Sequence, residues 1–388
     1  MCQKSLFKIV KLMLLFSFFA TSCAGSKDML EDRAQYASEN PDHISINIVW
    51  PLSDIESENG FVKGAQLAVE EINAQGGING VEVQDIVTDE SLSYRESILS
   101  AQEIAQMRDV VAVIGHWEPY IAIPASKIYN DSGLVYLSPA ISNDLLTEQG
   151  YEYVIRNTLS DSDMGRQIAQ YLLDKGYQRT VIFYENDDYG RGVAKAFERQ
   201  FNDLGAVVVD RISDFKNEIE FHKAFNKWQA LVYDSVFIVD SMPHAGVLID
   251  QLRLLDPTVP VFAADGIDLS DLPTLLGDSG EGLHIATTFN PNDDRIKTSA
   301  FMEAYKHKYN MLPDTWAVQG YDSIYLIADA AKKAQSVAPH MILEALHEIE
   351  NWEGVIGNLT FDQKGNMTGL KISMKIIHND QFEFMDSN

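Results

Sequence analysis

The sequence predicts an α/β fold of two doubly wound parallel-sheet lobes, on three observations. Short apolar runs alternate with helical ridges in two consecutive series of similar length. Those runs, Val111-Ala-Val-Ile114 and Val261-Phe-Ala-Ala264 among them, are continuously apolar, as strands covered on both faces are. The chain has 388 residues, too many for one ordinary core.

Ile44 to Trp50 alternates and then turns apolar, so it is the first strand, and Pro51 stops it. A polar loop leads to a helix whose ridge is Phe61, Gly64, Ala65, Leu67, Ala68 and Ile72. That helix closes at Asn73-Ala-Gln-Gly-Gly-Ile-Asn-Gly80, where glycine supplies a positive φ. A strand over 81–87, a helix over 94–107 and the strand 111–114 follow. Gly115 ends that strand, and a helix starts near Ile121. Such a turn lies at the carboxyl end of an open sheet, where ligands bind, so His116, Trp117, Glu118 and Tyr120 are its candidate presented side chains. A strand over 134–137 ends in the turn Ser138 to Asn143, and 153–156 is a short strand.

The second series has strands over 180–184, 206–210, 235–240, 261–264 and 282–287. Its helices cover 164–175, a stretch ending at Leu204, 221–229 and 247–255. Helices over 298–309, 315–334 and 338–349 come next, and 359–384 alternates as a β-ribbon. Without a long Pro/Gly/Ser linker, the lobes are expected to meet at short hinges near Asn157, 288–290 and 357–360. This gives lobe 1 as 44–157 plus 289–357, and lobe 2 as 158–288 plus 358–388, two bodies able to close as a hinge.

A formal charge of −27 argues against nucleic acid or an anionic lipid surface as the main partner, since both need a basic footprint. Lys4, Lys8 and Lys11 precede an apolar run, Leu12 to Ala20, too short to span a bilayer. It ends in Ala20-Thr-Ser-Cys23, which resembles a bacterial lipobox and implies a signal peptide over 1–22 with lipidation of Cys23; a plain cleaved signal is the alternative. Export removes Cys2 and lipidation consumes Cys23, leaving no disulfide. The polar residues up to 43 read as a tether. The localisation expected is the periplasm or cell envelope, lipid-anchored to the membrane.

No HExxH, paired Cys/His or EF-hand spacing occurs, so neither a metal nor a cofactor is expected. Gly190-Arg-Gly192 lacks the phosphate-loop frame, and no nucleophile elbow surrounds Ser138 or Ser142. His116 reads as a bond to its own turn sooner than as a titrating group or metal ligand. Asp187-Asp188 reads as a solvated acidic loop. Trp117 and Tyr120 either meet a ligand or pack where the lobes meet.

The segments Glu71 to Gly80, Val113-Ile-Gly-His116, Pro124-Ala-Ser126, Ser138-Pro139, Asn143 to Thr147, Asp188-Tyr-Gly-Arg-Gly192, Gln319-Gly-Tyr-Asp322 and Phe361 to Gly365 carry a resemblance by their order and spacing. Over 44–388 the chain resembles a type I periplasmic binding protein of the branched-chain amino-acid (Leu/Ile/Val) class. That resemblance implies a non-enzymatic receptor whose lobes shut on one small-molecule solute and present it to an ABC permease. A regulatory lipoprotein of the same fold, acting on a membrane sensor or a cell-wall enzyme, is the other class it allows.

In that family the ligand carboxylate is held by hydroxyls and backbone N–H groups on the turns after the third and fourth strands. The ammonium is held by an acid in the other lobe. By position, the resemblance assigns Ser142, with the backbone of Ala140 and Ser142, to the carboxylate. It assigns Asp265, one methylene shorter than the usual Glu, to the ammonium, and Tyr189 to closing over the ligand. The chain departs from the family at Trp117-Glu-Pro-Tyr-Ile-Ala122, where amino-acid binders carry small hydroxyl residues. The family's usual disulfide is also absent, with Glu118 about where one cysteine would be. Pro119 has no N–H, and an inward Glu118 would repel a carboxylate. A neutral, cationic or aromatic ligand is therefore expected, with Trp117 and Tyr120 as stacking or cation–π faces.

Overall fold

Three sheets organise the chain, and the computed structural model describes residues 29–39, 41–52, 60–91, 93–215 and 217–385. Cys23 and the signal segment lie outside these residues. The first lobe begins with helix α1 (29–38). It continues through β1 (His43–Trp50), α2 (Gly60–Ala74), β2 (Glu82–Asp89), α3 (Tyr94–Ile104) and β3 (Val110–Gly115). Then come α4 (Pro119–Asp131), β4 (Val135–Ser138), α5 (Leu145–Glu148) and β5 (Val154–Arg156). Its strands pair in parallel in the order β2-β1-β3-β4-β5. Every residue of β3 and of β4 is buried, which is why both read as unbroken apolar runs.

The second lobe contains α6 (Asp161–Asp174), β6 (Arg179–Tyr184), α7 (Asp188–Asp203), β7 (Val207–Ile212), α8 (Glu218–Ala230) and β8 (Ser235–Val239). It continues with α9 (His244–Leu255), β9 (Val261–Ala263), α10 (Leu272–Leu276) and β10 (Leu283–Thr287). The chain returns to lobe 1 with α11 (Ile296–Tyr309), α12 (Thr315–Ala334) and α13 (Pro339–His347). β11 (Trp352–Glu353), β12 (Asn358–Phe361) and β13 (Met367–Thr368) form a small antiparallel sheet. Finally β14 (Ser373–His378) and β15 (Gln381–Phe384) complete a seven-stranded sheet ordered β15-β14-β10-β9-β8-β6-β7.

Glycines set the closest helix contact. A Cβ at Gly64 on α2 would fall inside the Ala317 carbonyl of α12, and one at Gly320 inside the Phe61 carbonyl. The two backbones therefore touch, and α12 is fixed to lobe 1.

Two expectations are corrected. The polar stretch read as a tether is in part helix α1, and its Arg33 is only 2% exposed. The Arg33 guanidinium donates to the carbonyls of Val110, Ser132, Ala105 and Met107, the last two at 2.6 and 3.2 Å. Burial pulls its pKa down to about 10, so it stays charged, and four carbonyls compensate for the lost water. Composition shows a charge; it does not show that carbonyls wait for it.

The third crossing also moves. The ribbon divides, with β12 and β13 staying on lobe 1 and β14 and β15 joining lobe 2. Arg156 holds the first half: its N–H donates to the Gly365 carbonyl at 2.8 Å, and its guanidinium binds Asn366 and the Ser142 and Asn143 carbonyls. The crossing thus lies between Thr368 and Ser373. Alternation marks a strand without saying which edge it joins.

Candidate ligand-binding site

β3 ends in an abrupt turn. Gly115 has φ +117°, and a Cβ there would strike the Val49 carbonyl. His116 follows in the left-handed region at φ +61° and donates its N–H to the Val49 carbonyl at 2.8 Å. Its ring is buried, with Nε2 2.9 Å from the Tyr129 hydroxyl and Nδ1 3.4 Å from Glu90 Oε1. The histidine therefore braces the turn from beneath and is not on the cleft wall. Glu90, equally buried, accepts the Trp117 N–H on Oε2 at 2.7 Å. This bond seats the Trp117 indole edge-on to Trp316 of α12, at 4.8 Å between ring centroids, and to Trp50, at 5.2 Å. An aromatic wall results on lobe 1.

Glu118 is the residue before α4 and makes no capping bond with its side chain, which is half-buried. Burial, with Glu90, Asp187 and Glu185 nearby, raises its pKa. After β4, Ala140 and Ser142 form the adjoining wall. The Ser142 hydroxyl bonds Asp161, which is buried at the start of α6 and pushed up to about 7 by that burial.

Lobe 2 presents acids. Asp187 caps α7 by accepting the Gly190 N–H at 2.7 Å, and its pKa is raised by partial desolvation. The Tyr189 hydroxyl donates to Asp265 Oδ1 at 2.6 Å and accepts the Gly266 N–H at 3.0 Å. Burial pushes Asp265 up to about 6, and the tyrosine bond opposes part of that rise. Asp268 is neutralised by Lys375 and takes a bond from Thr315 Oγ1 of α12 at 3.0 Å, a contact from lobe 1 to lobe 2.

These groups enclose a cavity of about 190 Å³, room for a small solute and not for a polymer. Trp117, Ala140, Ser142, Tyr189 and Asp265 all line it. Tyr120 is not among the lining residues: it sits in the first turn of α4 and is 46% exposed. Asp187, read as a solvated acid, reaches the cavity wall. Trp316, Ser241, Asp268 and Leu269 were not anticipated. Only Trp316 left a signal, an aromatic at the start of a long helix just past a crossing.

Residues 51–373 match the family model described as periplasmic binding protein. The chain belongs to that family. A Leu/Ile/Val-binding protein homolog of Brucella abortus is 28% identical over 306 residues, 78% of this chain and 81% of its own. An ABC transporter substrate-binding protein from Desulfitobacterium hafniense, solved in complex with Leu, is 34% identical with a TM-score of 0.82, covering 88% of this chain and all of its own. A branched-chain amino acid transporter substrate-binding protein from Streptococcus pneumoniae, solved with isoleucine, is 27% identical with a TM-score of 0.76, covering 88% and 98%.

Proposed function

We propose that this protein is an extracytoplasmic solute receptor that captures one small amino-acid-like, amide or aromatic molecule between its lobes and delivers it to an ABC permease. The observation that carries this reading is the cavity whose walls come from both lobes, Trp117, Ser142 and Trp316 on one side and Tyr189 and Asp265 on the other. A ligand touching both walls favours the closed arrangement by its differential affinity for it. The names of the amino-acid-binding relatives support the same class. Asp265, aligned by Tyr189, is suited to accept a ligand ammonium through charge-assisted bonds. The role is binding without turnover.

Attachment to the membrane belongs to the same reading. Cleavage after 1–22 and lipidation of Cys23 would keep the receptor at the envelope, close to its permease.

A thermal-shift screen of the purified protein against amino acids, amides, amines and aromatic acids tests capture. At least one member should raise the melting temperature by several degrees, and a flat response across the panel overturns the reading. Labelling of growing cells with a fatty-acid analogue should mark the wild-type protein and spare Cys23→Ala; equal labelling of both overturns the anchor.

A further inference from the structure

The charges around the cavity do not balance. Glu118, Asp187, Asp265 and Asp268 line it, and among the described residues no Lys, Arg or His does. Lys375 neutralises Asp268 from behind. Arg191, on the α7 turn, is engaged with Asn186 and Asp188. Three carboxylates therefore face the solute with no cation beside them on the cavity wall, and Arg191 acts on Asp187 only from outside it.

On the turn after β3 and at the Ser142 hydroxyl, the groups that would seat a carboxylate are occupied or missing, which leaves the backbone of Ala140 and Ser142 as what remains for one. The Trp117 N–H is bound to Glu90, Pro119 has none, and the Ser142 hydroxyl is bound to Asp161. A zwitterionic amino acid would bring its carboxylate into a cavity that Glu118 also lines, where like charges in a partly desolvated cleft repel.

The acids also have a geometry. Glu118 projects from lobe 1 and Asp187 from lobe 2, close enough for the charge of one to act on the other. Asp265 lines the cavity from lobe 2 as well, bonded to the Tyr189 hydroxyl. Trp117 and Trp316 line the same cavity, apolar faces that favour methylene groups and cations.

We infer that the solute is a linear diamine without a free carboxylate, one ammonium on Asp265 and the other shared by Glu118 and Asp187 across the cleft, its methylene spacer against Trp117 and Trp316. This rests on the capture of a solute in the same cavity. It also supplies a closing force: Glu118 and Asp187 oppose one another across the cleft, and the second ammonium turns that repulsion into a bridge between lobes.

Titration calorimetry of the full chain with putrescine, cadaverine, butylamine, leucine and calcium chloride tests it. The diamines should bind roughly tenfold or more tightly than butylamine, which has one charge, and more tightly than leucine. Glu118→Gln should remove most of that diamine advantage, costing the diamines roughly tenfold and butylamine clearly less. Asp187→Asn retains the α7 cap, since Asn caps as well as Asp, and should act in the same way. Leucine binding more tightly than either diamine overturns the inference and leaves solute capture standing, as does calcium binding that displaces the diamine. Silence from every compound, with none found in the wider screen, overturns both.

Discussion

The two strand-to-helix turns that meet across the cleft are built on opposite principles. After β3 in lobe 1, the backbone is tied down by Gly115, His116 and Glu90, and what projects is a rigid aromatic surface. After β6 in lobe 2, the turn opens into Asp187 and Tyr189, with Asp265 from the turn after β9 beside them. One wall supplies mainly shape, with Glu118 as its acid, and the other supplies most of the charge. On the function proposed, a ligand would gain most of its attraction from lobe 2 and most of its fit from lobe 1.

Four experiments bear on that division, in falling order of expected effect. Asp265→Ala removes the principal charge of lobe 2 and should cost a cationic ligand about 2–3 kcal/mol, near a hundredfold in affinity by calorimetry. Unchanged affinity would place the attraction elsewhere. Trp117→Ala removes an aromatic face from lobe 1 and should cost about 1 kcal/mol, several-fold in affinity. If it cost as much as Asp265→Ala, the separation of shape from charge would fail.

The third measurement uses pH. Asp265 titrates at about 6 in the folded protein, above its ordinary range because it is buried. Cation affinity should therefore rise as pH goes up through 6 and level off above it, whereas leucine-like affinity carried by lobe 1 alone would not follow that curve. Stability moves the other way. A carboxyl whose folded pKa is raised favours the folded state at low pH, and that contribution is lost as pH rises from the unfolded value through the folded one. For Asp161 the window runs from about 4 to about 7. The fourth and smallest effect follows: Asp161→Asn should raise the melting temperature of the ligand-free protein at pH 8 and leave it nearly unchanged at pH 4. Equal shifts at both would deny the linkage.

Much of the fold was legible because buried parallel strands have to be apolar on both faces, and β3, β8 and β9 are. Five of the six residues expected at the ligand do line the cavity, because the turns that bear them lie at strand ends whatever the details of packing. Tyr120 lies off the cavity wall because of helix phase. The sequence places a turn before it, but α4 starts at Pro119 and directs Tyr120 outwards. Trp316 comes from almost two hundred residues away in the chain, and no local pattern announces its meeting with Trp117. Asp187 and Arg33 share a third cause: a charged residue in a polar stretch looks solvated until its partners are known. For Asp187 the partner is a facing acid, and for Arg33 a set of carbonyls.

That arginine has a mechanical consequence. Val110, one of its acceptors, starts β3, while the ligand turn follows the other end of the same strand at Gly115. Tension applied through the segment before α1 therefore enters lobe 1 at its base and passes along the sheet without crossing a hinge. A molecule held by its N-terminus would keep lobe 1 as the stationary jaw and leave lobe 2, which bears the acids, as the one that swings.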